Sequence, residues 1–147
     1  LDMVQALFEA YDRGGETAIT VDARDCVVEG PGFNLFVVRD GDLATPANGV
    51  LPGVTRRTII ELGRAHGRAV DAESVSANAV RAADEVFITS TAGGVMPVTR
   101  VDDTVIGDGV PGPVTQTLRD AYWRLHEDPR YTRAVDYDRP AGDRDGD

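Results

Sequence analysis

The residues best suited to chemistry begin with an acid that opens a glycine-punctuated loop, in the segment Glu29–Asn34. Gly30 and Gly32 have no Cβ, so the backbone there can lie close to a flat ligand without side-chain collision. A carboxylate in such a place can hold a protonated ring nitrogen through a charge-assisted hydrogen bond. The alternative is a solvated acid at a hairpin tip, since charged side chains are mostly exposed.

Two further segments carry hydroxyl side chains and glycines that suit a phosphate group. In Leu51–Arg56 the run Gly53-Val54-Thr55 stands at the predicted start of a helix, where outward N–H groups and a hydroxyl can bind an anion. The segment Thr89–Gly94 joins two predicted strands and can complete the phosphate site. Each has an ordinary alternative, a helix cap at Thr55 and a Ser/Thr/Gly turn. Together the three segments predict one small-molecule pocket.

Composition limits the class of partner. The 147 residues are 41% hydrophobic and carry a formal net charge of −10, which fits one acidic domain. Apart from Arg56-Arg57 no basic cluster interrupts the acidic charge, so nucleic acid and anionic membranes are not expected partners. Cys26 is the single cysteine, which fits a reducing cytoplasm and a small core residue. No signal peptide, membrane span or metal-ligand cluster is predicted.

The elements that must position the three segments follow from the spacing of apolar residues. Helical spacing predicts helices over 1–11, 55–66, 76–83 and 113–126. Extended runs predict strands over 18–21, 26–28, 35–38, 43–46 and 86–88, with two more that begin at Val70 and Val95. Pro97 favours an edge position or a bulge for the last strand, because its nitrogen cannot donate to a sheet ladder.

These elements predict an α+β fold with an antiparallel, barrel-like sheet built from hairpins. The helices over 55–66 and 113–126 are expected to pack outside the sheet. Residues 1–135 are expected to form one domain, and residues 136–147 an acidic, disordered tail. The chain opens directly into a helix, which predicts that it is a piece of a longer protein.

In this order, the three segments resemble the fold type IV pyridoxal-phosphate enzymes. That family includes branched-chain and D-amino-acid transaminases, aminodeoxychorismate lyase and the (R)-selective amine transaminases. The resemblance spans residue 1 to about residue 137 and is closest to the (R)-amine branch. Phe33 and Gly93-Gly94 favour that branch, because branched-chain transaminases usually carry an acid and Ala-Glu there. The motifs that carry the resemblance are Glu29–Asn34, Thr91–Thr99, Gly112–Thr115, Asp120–Trp123 and Val135–Tyr137.

The resemblance implies a role for each candidate site residue. Glu29 would pair with the pyridine nitrogen of pyridoxal 5'-phosphate, and Leu51 would lie against the ring. The implied cofactor-binding set is Glu29, Leu51, Gly53, Val54, Thr55, Ser90 and Thr91. Ser90 would also line the substrate side, together with the implied substrate-binding residues Ala92 and Gly93. The family's fold is the large domain of an aminotransferase, and its members are homodimers.

The lysine that links covalently to the cofactor in this family is absent, because the sequence contains no lysine. In the relatives it lies just before the helix matched here by residues 1–11, so the full-length protein is expected to carry it. The implied reaction moves an amino group from an (R)-amine or D-configured donor to a keto acid such as pyruvate. The alternatives are a branched-chain or D-amino-acid aminotransferase, the related lyase, or a lysine-free remnant that binds a ligand without catalysis.

Overall fold

The computed structural model describes residues 2–135 and residue 137, so the predicted tail over 136–147 lies outside the described residues except for Tyr137. The described helices are α1 Asp2–Asp12, α2 Val54–Ala65, α3 Ala77–Arg81 and α4 Pro113–Arg124, which continues into a short 3-10 turn, Leu125–Glu127. The described strands are β1 Asn34–Arg39, β2 Asp42–Pro46, β3 Val70–Glu73, β4 Glu85–Ser90, β5 Gly94–Val98, β6 Arg100–Val101 and β7 Thr104–Val105.

Five strands form one mixed sheet in the order β3-β2-β1-β4-β5. All neighbours are antiparallel except β2 and β3, which run parallel because α2 crosses over between them. The α+β class is confirmed, and so is the edge position of β5, which contains Pro97. Helices α2 and α4 confirm the two helices predicted to pack on the sheet.

The predicted barrel-like closure is wrong for the described strands, which form an open sheet with β3 and β5 as separate edges. The parallel crossover sends β3 to the far side of β2, away from β5. The predicted hairpin over 18–28 also has no regular ladder and keeps only isolated bridges, such as Val21 with Val27. Asp22 closes its turn by accepting hydrogen bonds from the backbone N–H groups of Arg24 and Cys26.

The central strand β1 is buried on both faces, which explains its continuous apolar run. Phe36 and Val38 face α2 and α4, where Phe36 stacks on Phe87 of β4 with ring centroids 5.0 Å apart. Leu35 and Val37 face a second apolar cluster on the other side of the sheet. The sheet therefore has a helix-packed face and a loop-packed face.

Two polar residues of β4 lie on the helix-packed face at opposite ends of the sheet. Glu85 is opposite Val38 in β1, and Thr89 is opposite Asn34. Thr89 follows Glu85 by four positions in β4, which is about 13 Å at the usual rise per residue. The hydrogen bonding at these two ends of the sheet differs.

Helix α1 and Cys26 lie outside the sheet, and neither is part of the buried core. Helix α1 confirms the helix predicted over 1–11, but none of its described residues is buried. Cys26, predicted as a core residue, is only half-buried, and the Ser74 hydroxyl donates to its sulfur at 3.1 Å. In the described part of the chain, no helix combines the length and apolar character needed to cross a membrane.

Candidate functional site

The acid of the glycine loop is anchored rather than exposed at a hairpin tip. The Glu29 carboxylate accepts two hydrogen bonds on one oxygen, Oε2, from the Asn34 side-chain amide at 3.0 Å and from the Leu51 backbone N–H at 2.8 Å. Its other oxygen, Oε1, has no hydrogen-bond partner among the described residues. A Cβ at Gly30 would overlap the Phe33 ring, so the loop requires glycine there. The acid thus keeps one oxygen for a ligand.

Asn34 links this acid to the start of α2. It is only 5% exposed, and its Nδ2 also donates to the Leu51 carbonyl at 3.0 Å. Its Oδ1 fills the space that a Cβ at Gly53 would occupy. Sequence reasoning gave Asn34 no role, although an asparagine at the start of a buried apolar strand is a signal, because a buried amide must find partners.

Helix α2 begins with uncapped backbone N–H groups. Gly53 is its N-cap, and no side chain caps the helix there. The alternative of a cap at Thr55 is therefore wrong, because Thr55 lies inside the first turn, where it is buried. Leu51 and Val54 flank this helix start and are 68% and 66% exposed. The first turn of α2 has the geometry of an anion site.

The two arginines of the first turn differ in use. Arg56 donates to the Thr45 hydroxyl at 3.2 Å and to the Pro46 carbonyl at 3.0 Å, so it ties α2 to β2. Partial burial lowers the pKa of the Arg56 guanidinium. Arg56 keeps its positive charge but is held against β2, whereas the Arg57 side chain is exposed to solvent.

The third segment is a tight turn between β4 and β5. The Ser90 hydroxyl accepts a hydrogen bond from the Gly93 backbone N–H at 2.9 Å, so it holds the turn. Thr91 and Ala92 are exposed at its tip. Gly94 has a φ of +62°, and a Cβ there would press on Tyr122 of α4. The segment is thus an ordinary Ser/Thr/Gly hairpin turn whose tip is exposed to solvent.

Thr89 belongs to the segment predicted to complete the phosphate site, but sequence reasoning gave it no role of its own. It is 2% exposed, and its hydroxyl has no hydrogen-bond partner within the described residues. Its ladder partner is Asn34, so it lies at the same end of the sheet as the start of α2. A buried hydroxyl without a partner is costly, and such a group commonly marks a site completed by a water or a ligand.

The three predicted segments therefore meet at one end of the sheet. Asn34 contacts Glu29, Leu51 and Gly53, and its pairing with Thr89 brings the β4–β5 turn to the same end. None of the candidate residues lines either of two cavities, of about 260 and 120 Å³, which are bounded instead by residues such as Val27 and Val37 of the loop-packed face.

At the opposite end of the sheet, a carboxylate of the protein itself binds the first-turn N–H groups of α4. Glu85 is 8% exposed, and its carboxylate accepts from the backbone N–H groups of Val114 and Thr115 at 2.9 and 2.7 Å. The Thr115 hydroxyl donates to the same carboxylate at 2.6 Å. Gly112 is the N-cap of α4. The contact of Glu85 with this helix start was not predicted, because Glu85 and Val114 are far apart in sequence.

Comparison with known proteins gives a consistent family. A family model described as "Amino-transferase class IV" matches residues 1–101. A branched-chain-amino-acid aminotransferase of Pseudomonas aeruginosa is 39% identical over 126 residues, covering 85% of this chain and 41% of that protein. The Escherichia coli K12 enzyme of the same name is 40% identical over 119 residues, covering 80% of this chain and 38% of that protein.

Solved structures agree with the sequence relatives. The branched-chain amino acid aminotransferase from Thermobaculum terrenum, in its pyridoxal-phosphate form, superposes with a TM-score of 0.83 at 35% identity, covering 88% of this chain and 44% of that one. The branched-chain aminotransferase from Thermoproteus uzoniensis with norvaline gives 0.81 at 36% identity, with the same coverage. The chain spans about two fifths of the length of the relatives it matches.

Proposed function

The chain belongs to the class IV aminotransferases, and from this premise we propose that the end of the sheet around Asn34 is the pyridoxal 5'-phosphate site of a transaminase. One observation carries the proposal: an acid with an unused oxygen and an uncapped helix N-terminus are held together by a single buried amide. The cofactor has matching ends, a basic ring nitrogen and a phosphate.

The residues at this end of the sheet fit both ends of that cofactor. Oε1 of Glu29 is available to a protonated ring nitrogen. The first-turn N–H groups of α2 and the unpartnered Thr89 hydroxyl suit a phosphate. Gly53 has no side chain to block the approach, and a Cβ there would displace Asn34.

In the proposed mechanism each residue binds or orients the cofactor or the substrate. When bound, pyridoxal phosphate supplies an electron sink for a substrate carbanion. The Glu29 carboxylate would keep a proton on the ring nitrogen. Leu51, whose apolar side chain is exposed, would lie against a ring face, and the backbone N–H groups of Val54 and Thr55 in the first turn of α2 would donate to the phosphate. The turn residues that complete the set are Ser90 and Thr91 toward the phosphate, and Ala92 and Gly93 toward the substrate.

The reactive amine of the proposed reaction comes from outside these 147 residues, since lysine is absent from them. We propose that residues 1–135 are the large, cofactor-binding domain of a longer enzyme, followed by a polar tail over 136–147. A cytoplasmic homodimer is part of the same proposal and rests on the family resemblance of the sequence.

Branched-chain amino acids are the favoured donors. The relatives and solved structures above are named branched-chain aminotransferases, at 35 to 40% identity. An (R)-amine donor is the second candidate, and it rests on the resemblance that Phe33 and Gly93-Gly94 carry. Gly94 itself packs so closely on Tyr122 and Trp123 that a side chain there has no room.

The test uses the complete reading frame, expressed and loaded with pyridoxal phosphate. We expect transamination of a keto acid with leucine as donor. Activity with an (R)-aryl-alkyl amine and pyruvate, but not with leucine, would favour the second candidate.

Glu29→Ala should lower turnover by roughly 1000-fold but cofactor affinity by only roughly tenfold. Glu61→Ala, at an exposed acid of α2, is the control. Equal losses of turnover and affinity in Glu29→Ala, or a protein that binds the cofactor without turnover, would contradict the proposal.

A further inference from the structure

We propose that Asn34 is a positioning residue that decides which oxygen of Glu29 faces the bound ring nitrogen and links that oxygen to the phosphate end of the site. The inference rests on the proposed function and deepens it. Asn34 itself does not contact the cofactor in this account. It acts through Glu29 and through the start of α2.

The hydrogen bonds on Glu29 are asymmetric, and Asn34 supplies half of them. Both donors, the Asn34 amide and the Leu51 N–H, bind Oε2. Rotation of the carboxylate would break both bonds at once, at the cost typical of bonds to a charged acceptor. The carboxylate is thus held with Oε1 free to accept from a ligand. Without Asn34, a single backbone donor would remain, and the carboxylate could rotate about it.

The Asn34 amide is itself fixed in one orientation. An asparagine amide has two N–H donors, and here one binds Glu29 while the other binds the Leu51 carbonyl. A flipped amide would turn its oxygen toward two acceptors, the Glu29 carboxylate and that carbonyl. The side chain is almost fully buried, so water cannot readily replace these bonds. The orientation of Glu29 is therefore set by a group that has no alternative arrangement.

The same amide joins the two ends of the proposed site. Its Oδ1 lies against the Cα of Gly53, the N-cap of α2. A displacement of the helix start would push on Asn34 and, through Nδ2, on Glu29. A phosphate that settles at α2 and a carboxylate that faces the ring nitrogen are thus mechanically coupled through one side chain.

The test compares pyridoxal phosphate with its analogue that has carbon in place of the ring nitrogen, using the full-length protein. Asn34→Ala should weaken binding of pyridoxal phosphate by roughly fivefold, while binding of the analogue should change by less than about twofold because it makes no bond to Glu29. Asn78→Ala, at an exposed asparagine of α3, is the control and should leave both affinities unchanged. A purely structural role would weaken both ligands equally, and that result would overturn the proposal.

A second measurement needs no substitution and decides the question should Asn34→Ala fail to fold. In the unmodified protein with ¹⁵N-labelled asparagine, pyridoxal phosphate should shift the Asn34 side-chain amide resonances, and the carbon analogue should shift them clearly less. Equal shifts with the two ligands would overturn the role of Asn34 while the proposed function stands. A protein that binds neither ligand would overturn both.

Discussion

Helices α2 and α4 begin in nearly the same way and end up in different environments. Each has twelve residues, a glycine N-cap without a capping side chain, and a buried threonine in its first turn. At α4 the first-turn N–H groups are filled by the Glu85 carboxylate. At α2 no carboxylate of the described residues plays that part. The fold supplies its own anion to the start of α4 and none, among the described residues, to the start of α2, which we propose binds the cofactor phosphate.

Strand β4 carries both ends of this contrast on one face. Glu85 accepts three hydrogen bonds from the start of α4, while the Thr89 hydroxyl, at the other end, has no partner in the described part of the chain. At the Glu85 end of the strand, the polar groups have hydrogen-bond partners within the protein. At the Thr89 end, a hydroxyl and one oxygen of Glu29 have none among the described residues.

The largest expected effect is on stability and comes from Glu85, at the end of β4 where the hydrogen bonds are complete. Glu85→Gln replaces an oxygen that accepts hydrogen bonds by an amide that donates, so it should lower the free energy of unfolding by about 3 kcal/mol. Urea denaturation measures this, and hydrogen–deuterium exchange should place the loss in α4. Glu61→Gln, an equal change at an exposed position, should alter stability by less than about 0.5 kcal/mol. If Glu85→Gln were as stable as that control, the internal anion would have no structural role.

The two N-cap glycines allow a direct comparison of the helix starts. A Cβ at Gly112 would overlap the Glu85 carboxylate, and a Cβ at Gly53 would overlap the Asn34 amide. Gly112→Ala should therefore cost about 2 kcal/mol of stability with little change in cofactor affinity. Gly53→Ala should cost about 1 kcal/mol and weaken pyridoxal phosphate roughly tenfold. If the two variants lost stability and cofactor affinity in the same ratio, the proposed difference between the starts of α2 and α4 would be contradicted.

Two buried threonines provide the smallest and sharpest contrast. The Thr115 hydroxyl donates to Glu85, so Thr115→Val should lower stability by about 1 kcal/mol and leave cofactor affinity unchanged. Thr89→Val removes a hydroxyl without a partner in the described part of the chain, so stability should hold or rise slightly. Its affinity for pyridoxal phosphate should fall by roughly threefold. Thermal unfolding and fluorescence titration of the full-length protein measure both quantities, and a stability loss in Thr89→Val would show that its hydroxyl already has a partner.

Local pattern sufficed for most of the elements and for the family. The extended runs over 35–38 and 43–46 predicted β1 and β2, and the helical spacing after Gly53 predicted α2. The residues that hold the site together were harder to find. Asn34 donates to the Leu51 carbonyl and the Val114 N–H donates to Glu85, and in both bonds the partners are distant in sequence. A buried asparagine signals that it must have partners, but no local pattern says which residues they are.

The predicted barrel failed for a related reason. Hairpins follow from turn residues such as Asp40-Gly41, but the parallel pairing of β2 with β3 depends on where α2 returns the chain. That crossover is a property of packing rather than of any short motif. The alternative of a helix cap at Thr55 differs from the structure by two positions, because Gly53 is the N-cap of α2.

The most direct test of the central contrast is hydrogen–deuterium exchange of the full-length protein with and without pyridoxal phosphate. We expect the cofactor to slow exchange in the first turn of α2 and in the Glu29–Asn34 loop, and to leave the first turn of α4 unchanged because Glu85 already occupies it. Protection that spares α2, or that appears equally at both helix starts, would contradict the account.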